Sequence, residues 1–149
     1  MNLFKKSIII FIISIYSCNR VQNNASEIKE IPVDVKLDRF DKYFYDQEKY
    51  DLKSLKDKFP FFFPIRFSDS VWVNRRNDTL IRILNNEISK KIINNSLIIN
   101  PLKLMFKHIK YYFPNYRIPR VITVSNNVDY NNKVIFIDSL LIISIDTYL

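Results

Sequence analysis

The chain has 149 residues, with 23 Lys and Arg against 15 Asp and Glu for a formal charge of +8, one cysteine, one histidine and no glycine. That length suits one domain, a lone cysteine excludes an internal disulfide, and the missing glycine excludes the Gly-rich phosphate-cradling loops of the usual nucleotide-binding motifs. The basic excess is spread along the chain, so it reads as a solvated surface and excludes no-one but nucleic acid, for which no recognition motif is present.

The first eighteen residues carry Lys5-Lys6, then the apolar run Ile8-Ile9-Ile10-Phe11-Ile12-Ile13, then Ile15-Tyr16-Ser17-Cys18. A basic start, a short apolar core and a small residue at the cut describe a secretory signal. The apolar stretch is far shorter than the roughly 20 residues that cross a bilayer as a helix. The only cysteine follows directly on Ser17, the order of a bacterial lipoprotein signal. Residues 1–17 are therefore expected to be removed and Cys18 to carry the lipid, with palmitate among its acyl chains. Loss of Lys5 and Lys6 leaves 21 basic residues against 15 acidic ones, a charge of +6.

Residues 18–30 are polar and read as a lipidated flexible tether, with the domain over 31–149. Val33, Val35 and Leu37 alternate with polar residues and predict a half-buried strand. Phe40, Tyr43 and Phe44 suggest a helical turn, and Asp51 caps a helix that Pro60 stops. Phe59 to Pro64 is the densest aromatic stretch and reads as an extended core segment, its prolines keeping it out of helix and central sheet. Trp72 reads as core.

Asn77-Asp78-Thr79 offers a cap to a helix running to about Ile93, with Leu80, Ile81, Leu84, Ile88 and Ile92 as its apolar stripe. Asn94-Asn95 is expected to end it in place of glycine, and the paired asparagines in general are expected to supply positive φ. A second amphipathic helix is expected to start at Asn100-Pro101. Leu102, Met105, Phe106, Ile109 and Phe113 form its apolar face, and Pro114 closes it. Residues 120–125 and 133–138 are β-branched runs that predict a hairpin across a long polar loop. Leu140 to Tyr148 is a further apolar run, strand or buried helix, whose edge is expected to lie unpaired. The chain stops inside that run, so a covering partner or a longer form of the protein is expected.

Side chains suited to chemistry are few. His108 is expected to be a plain helix residue, since a metal centre needs further ligands at fitting spacing. Asp138 and Asp146 flank an apolar run and are the one candidate carboxylate pair for acid–base work, without a nucleophile or oxyanion motif beside them. No catalytic, cofactor or metal residue is assigned, and no enzyme is expected.

Several stretches together resemble the gliding motility lipoproteins of the GldB family: Ile31 to Asp41, Phe59 to Pro64, Asn77 to Leu80, Phe106 to Pro114, Val121 to Val124, and Val128-Asp129-Tyr130 through Asp146-Thr147-Tyr148-Leu149. The likeness is collinear over nearly all of the mature chain and corresponds to the N-terminal half of such proteins. It implies an envelope lipoprotein of the gliding apparatus with no established reaction. A distant likeness of that family to predicted zinc proteases supplies an alternative, a remnant metallohydrolase-like domain without its metal site, since none of those metal ligands can be placed here. The expectation is an α+β domain, an incomplete version of a larger one. It would have a strand and short helices, two amphipathic helices, then a β-hairpin with an additional apolar strand. The protein would be a structural or assembly component, lipid-anchored through Cys18 to a bacterial membrane and facing the periplasm. It would have no cofactor and no nucleic acid, and its partners would be other envelope or gliding-machinery proteins.

Overall fold

Two aspartates start helices by the same mechanism. The Asp51 carboxylate accepts from Ser54 N at 2.7 Å, and that of Asp78 accepts from Leu80 N and Ile81 N at 2.9 and 3.1 Å. Each satisfies amides that the first helical turn leaves unpaired. In the computed structural model, which describes residues 19–148, these helices join an α+β fold. The signal and Cys18 lie outside the described residues. The α-helices are α1 (Asn19–Glu30), α2 (Phe40–Tyr45), α3 (Leu52–Lys58), α4 (Asp69–Asn77), α5 (Thr79–Lys91) and α6 (Ser96–Tyr112). The strands are β1 (Leu37–Arg39), β2 (Arg120–Val124), β3 (Val134–Ile137) and β4 (Leu140–Ser144).

The sheet has the order β1-β2-β4-β3. β1 and β4 both run parallel to β2, with Arg39 opposite Thr123 and Ile122 opposite Ile142, while β3 runs antiparallel to β4. The expected hairpin of residues 120–125 with 133–138 therefore does not form. The hairpin is β3–β4, turned through Asp138, whose φ of 51° is left-handed, and β4 separates β2 from β3. The run from Leu140 is thus an interior strand ending in a 3₁₀ turn, Ile145–Tyr148. The edge strands are β1 and β3.

Other expectations are corrected by packing. The segment read as a tether is helix α1 over Asn19–Glu30. Phe59 to Pro64 is not extended, because Pro60–Phe62 form a 3₁₀ turn that buries Phe59 and Phe63 on one side. Trp72 lies on α4, a helix whose weak periodicity hid it. The helix expected at Asn100 begins at Ser96, where Asn94 Oδ1 accepts from Ser96 N at 2.9 Å, and Pro101 sits inside it. The amides of Leu97, Ile98 and Ile99 are already bonded to Asn94 and Asn95 carbonyls, so the first turn is formed before the proline is reached. Leu80 is exposed, and the buried face of α5 centres on Asn85 and Ile88. Met105 and Phe113 are exposed, leaving Phe106 as the fully buried member of the α6 face. Of the paired asparagines described, Asn127 alone takes positive φ.

The described chain divides into two compact units. One holds the described residues up to Asp34 with Pro101–Tyr116. Within it Ile28 and Phe106 are buried, Phe106 stacks on Tyr116, and Tyr111 Oη donates to Glu27 at 3.1 Å. The other holds Val35–Asn100 and Arg117–Leu149 and contains the whole sheet. Its core is Phe44, Leu55, Phe59, Phe63 and Ile122, widened by Phe40, Phe62 and Trp72. Burial of this aromatic cluster, with rings such as Phe40 and Phe62 4.5 Å apart, contributes to the unit's hydrophobic stabilisation.

Candidate functional site

Where β1 meets α2, three polar side chains are buried together. Arg39 and Asp41 are each 2% exposed and Thr123 is fully buried. The Arg39 guanidinium donates through Nη2 to Asp41 Oδ2 at 2.6 Å and through Nε to Oδ1 at 2.9 Å. Thr123 Oγ1 donates to the same Oδ1, and Arg39 Nη1 reaches Asn95 Oδ1 at 3.3 Å. A carboxylate so surrounded has its charge compensated and its oxygens occupied. Outside this network, Asp38 binds Arg120 at 2.7 Å and Lys58 at 3.0 Å. Burial works to raise the Asp38 carboxyl, and the hydrogen bonds and charges of Arg120 and Lys58 outweigh it, holding it below the usual carboxylate range.

Strand alternation and register place Ile122, Val124, Ile142 and Ser144 on one sheet face. Against that face lies a cavity of about 300 Å³, closed by Phe62, Phe63 and Trp72 on the helical side and by Val124, Ile135 and Ile142 on the sheet side. Its polar border is Asp41, Tyr45, Arg75, Ser125 and Asn126. Burial pushes the Tyr45 phenol up, against the nearby charge of Arg75.

The loop after β2 is held in an unusual shape. Asn127 and Val128 have φ of 55° and 57°, a conformation that a β-branched residue adopts at a cost of roughly 1–2 kcal/mol. Asp146, 1% exposed, holds it there. Its Oδ2 accepts from Asn126 N at 2.8 Å, Val128 N at 2.9 Å and Ser125 Oγ at 3.3 Å. One carboxylate thus fixes both a strained turn and the polar border of the cavity.

The residues singled out from sequence fare differently. Asp146 is this internal anchor, whereas Asp138 is exposed in the β3–β4 turn. They stand at opposite ends of β4, roughly 15 Å apart by strand rise, and do not form a pair. His108 is exposed on α6 with Nδ1 2.8 Å from Leu104 O, in the unit that lacks the sheet. Among the described residues no group of three or more His, Cys, Asp or Glu is placed to hold a metal ion. Sequence reasoning passed over Arg39, Asp41, Arg75 and Thr123, because Asp41 and Thr123 are 82 residues apart and nothing local signals their meeting.

Among the described residues β3 pairs only with β4, and its Val134, Phe136 and Ile137 are 52%, 56% and 53% exposed. No helix among the described residues is long and apolar enough to cross a membrane. A sequence model of the family described as gliding motility protein GldB matches residues 21–149. No curated protein and no solved structure matches the chain.

Proposed function

The chain belongs to the GldB family of gliding-motility-related lipoproteins, and from that membership we propose that it is a lipid-anchored assembly component of the bacterial envelope. Cys18 is the anchor, the chain behind it faces the periplasm, and the sheet unit docks another envelope or gliding-machinery protein. The observation that carries the docking role is the free edge of β3. It presents unpaired backbone amides and carbonyls beside three exposed apolar side chains. Edges of that kind are usually blunted by charge, proline or cover, and an extended partner segment with apolar side chains at alternate positions completes them by strand addition.

Two experiments test the two parts separately. The Cys18→Ser chain, fractionated from envelopes, is expected in the soluble fraction while the wild type sediments with membrane; recovery of the variant in the membrane pellet refutes the anchor. Phe136→Glu, introduced into the anchored chain, is expected to abolish crosslinked species formed through β3 without lowering the thermal midpoint, because Phe136 is more than half exposed. Unchanged crosslinking refutes docking at that edge.

A further inference from the structure

The charge balance of the cavity is uneven. Asp41 borders it, but Arg39 and Thr123 take up both of its oxygens. Arg75 borders it too, half-buried, and among the described residues no carboxylate lies within ion-pair distance of it. The Tyr45 phenol lies beside it within hydrogen-bonding reach, and its contact to the loop is long, 3.4 Å from Nη2 to Asn127 Oδ1. Asp146 holds the loop amides through Oδ2, while its Oδ1 is buried without a hydrogen-bond partner among the described residues, and it is not on the cavity wall. A guanidinium left in this state at the rim of an aromatic cavity is complementary to an anion, and its planar fork matches a carboxylate in particular. The walls select the rest of the ligand. Trp72 and Phe63 meet edge to face at 5.1 Å, and facing Ile135 and Ile142 they form an apolar slot at the small end of the size range of ligand sites. The polar border is held in place, not loose, because Asp146 fixes Ser125 and Asn126 through a strained turn. Strain of this kind persists where surrounding contacts over-determine it, and it clusters at ligand sites.

We propose that this cavity is a binding site for a small aromatic carboxylate, its ring between Trp72 and Ile142 and its carboxylate on Arg75. The site is independent of the anchor and of the β3 edge, so failure of either reading leaves it standing. Trp72 is the one tryptophan of the chain and sits on the wall, so its fluorescence reports occupancy directly. The probe is 3-phenylpropionate titrated into the purified full chain, with 3-phenylpropionamide and 3-phenylpropylamine as isosteric neutral and cationic controls. The expected result is a saturable change in Trp72 emission with the acid, binding of the amide weaker by about tenfold or more, and no saturation with the amine. Arg75→Gln is expected to reduce acid affinity to that of the amide, with Arg75→Lys in between. Equal binding of acid and amide to the wild type, preference for the amine, or no saturable change with any probe overturns the proposal. The acid–amide comparison requires no variant, so it decides even if Arg75→Gln does not fold.

Discussion

Replacing Asp41 by Asn is the sharpest test of how the sheet unit is held together. The substitution keeps the side-chain volume and removes the charge that three Arg39 contacts and the Thr123 hydroxyl converge on. Arg39 would then be a guanidinium 2% exposed, with Asn95 at 3.3 Å and a neutral amide as its remaining partners. Breaking one side of a buried pair costs about 3–5 kcal/mol, because the surviving charge stays desolvated. Against a total stability of about 5–15 kcal/mol for a domain, that is a large fraction. Urea unfolding followed by circular dichroism and by Trp72 fluorescence should show a lower midpoint with an unchanged slope. The double variant Arg39→Met/Asp41→Leu removes both charges and fills the space with apolar atoms, so it should lose less than half of what Asp41→Asn loses. A loss below about 1 kcal/mol for the single variant would refute the reasoning. So would a double variant less stable than the single one.

Acid sensitivity should trace in part to Asp38. Its folded pKa lies below the unfolded value, so its contribution is fully present above the ordinary carboxylate range and is lost as pH falls through the folded pKa. Asp38→Asn should lower stability by about 0.5–1 kcal/mol at neutral pH and flatten that acid limb, which urea midpoints across the range would measure. Val128→Asn should raise the thermal midpoint, since Asn tolerates the left-handed region that costs Val about 1–2 kcal/mol; a lower midpoint would show the turn is not strained. Phe59→Ala, at a position 0% exposed, should cost about 3–5 kcal/mol, and Phe61→Ala, 44% exposed, within about 0.5 kcal/mol. Comparable losses at the two sites would contradict the packing described.

Features set by near neighbours in sequence were legible. Asp51 and Asp78 sit at helix starts because capping is a contact across two or three residues, and the four-residue apolar spacing through Ile88 fixed the course of α5. Strand pairing was not legible in the same way. Residues 120–124, 134–137 and 140–144 are three β-branched runs of similar character, and their order in the sheet depends on which can share a face. The turn that decides it, at Asp138, lacks the glycine that would have marked it. The start of helix α6 is hidden because Asn100-Pro101 has the composition of a helix start while the working cap is Asn94. The candidate site was the least legible part. Arg39, Asp41, Arg75 and Thr123 are ordinary residues alone, and their meaning comes from burial and from contacts spanning tens of residues. The charge of Asp146 is visible in the sequence, but its role as a clamp on residues 126–128 follows only from the fold.

The position of β4 in the sheet sets a schedule for the chain. β4 is synthesised after both strands it joins, β2 and β3, and the one pairing available earlier, β1 with β2, must join Leu37 to Val121. Closing so long a loop for a three-residue ladder is unfavourable on its own, and pairing of such high sequence separation is slow. The sheet is therefore unfinished until residues 140–144 are available. The cavity, whose sheet wall takes Ile135 from β3 and Ile142 from β4, is completed only when β4 arrives.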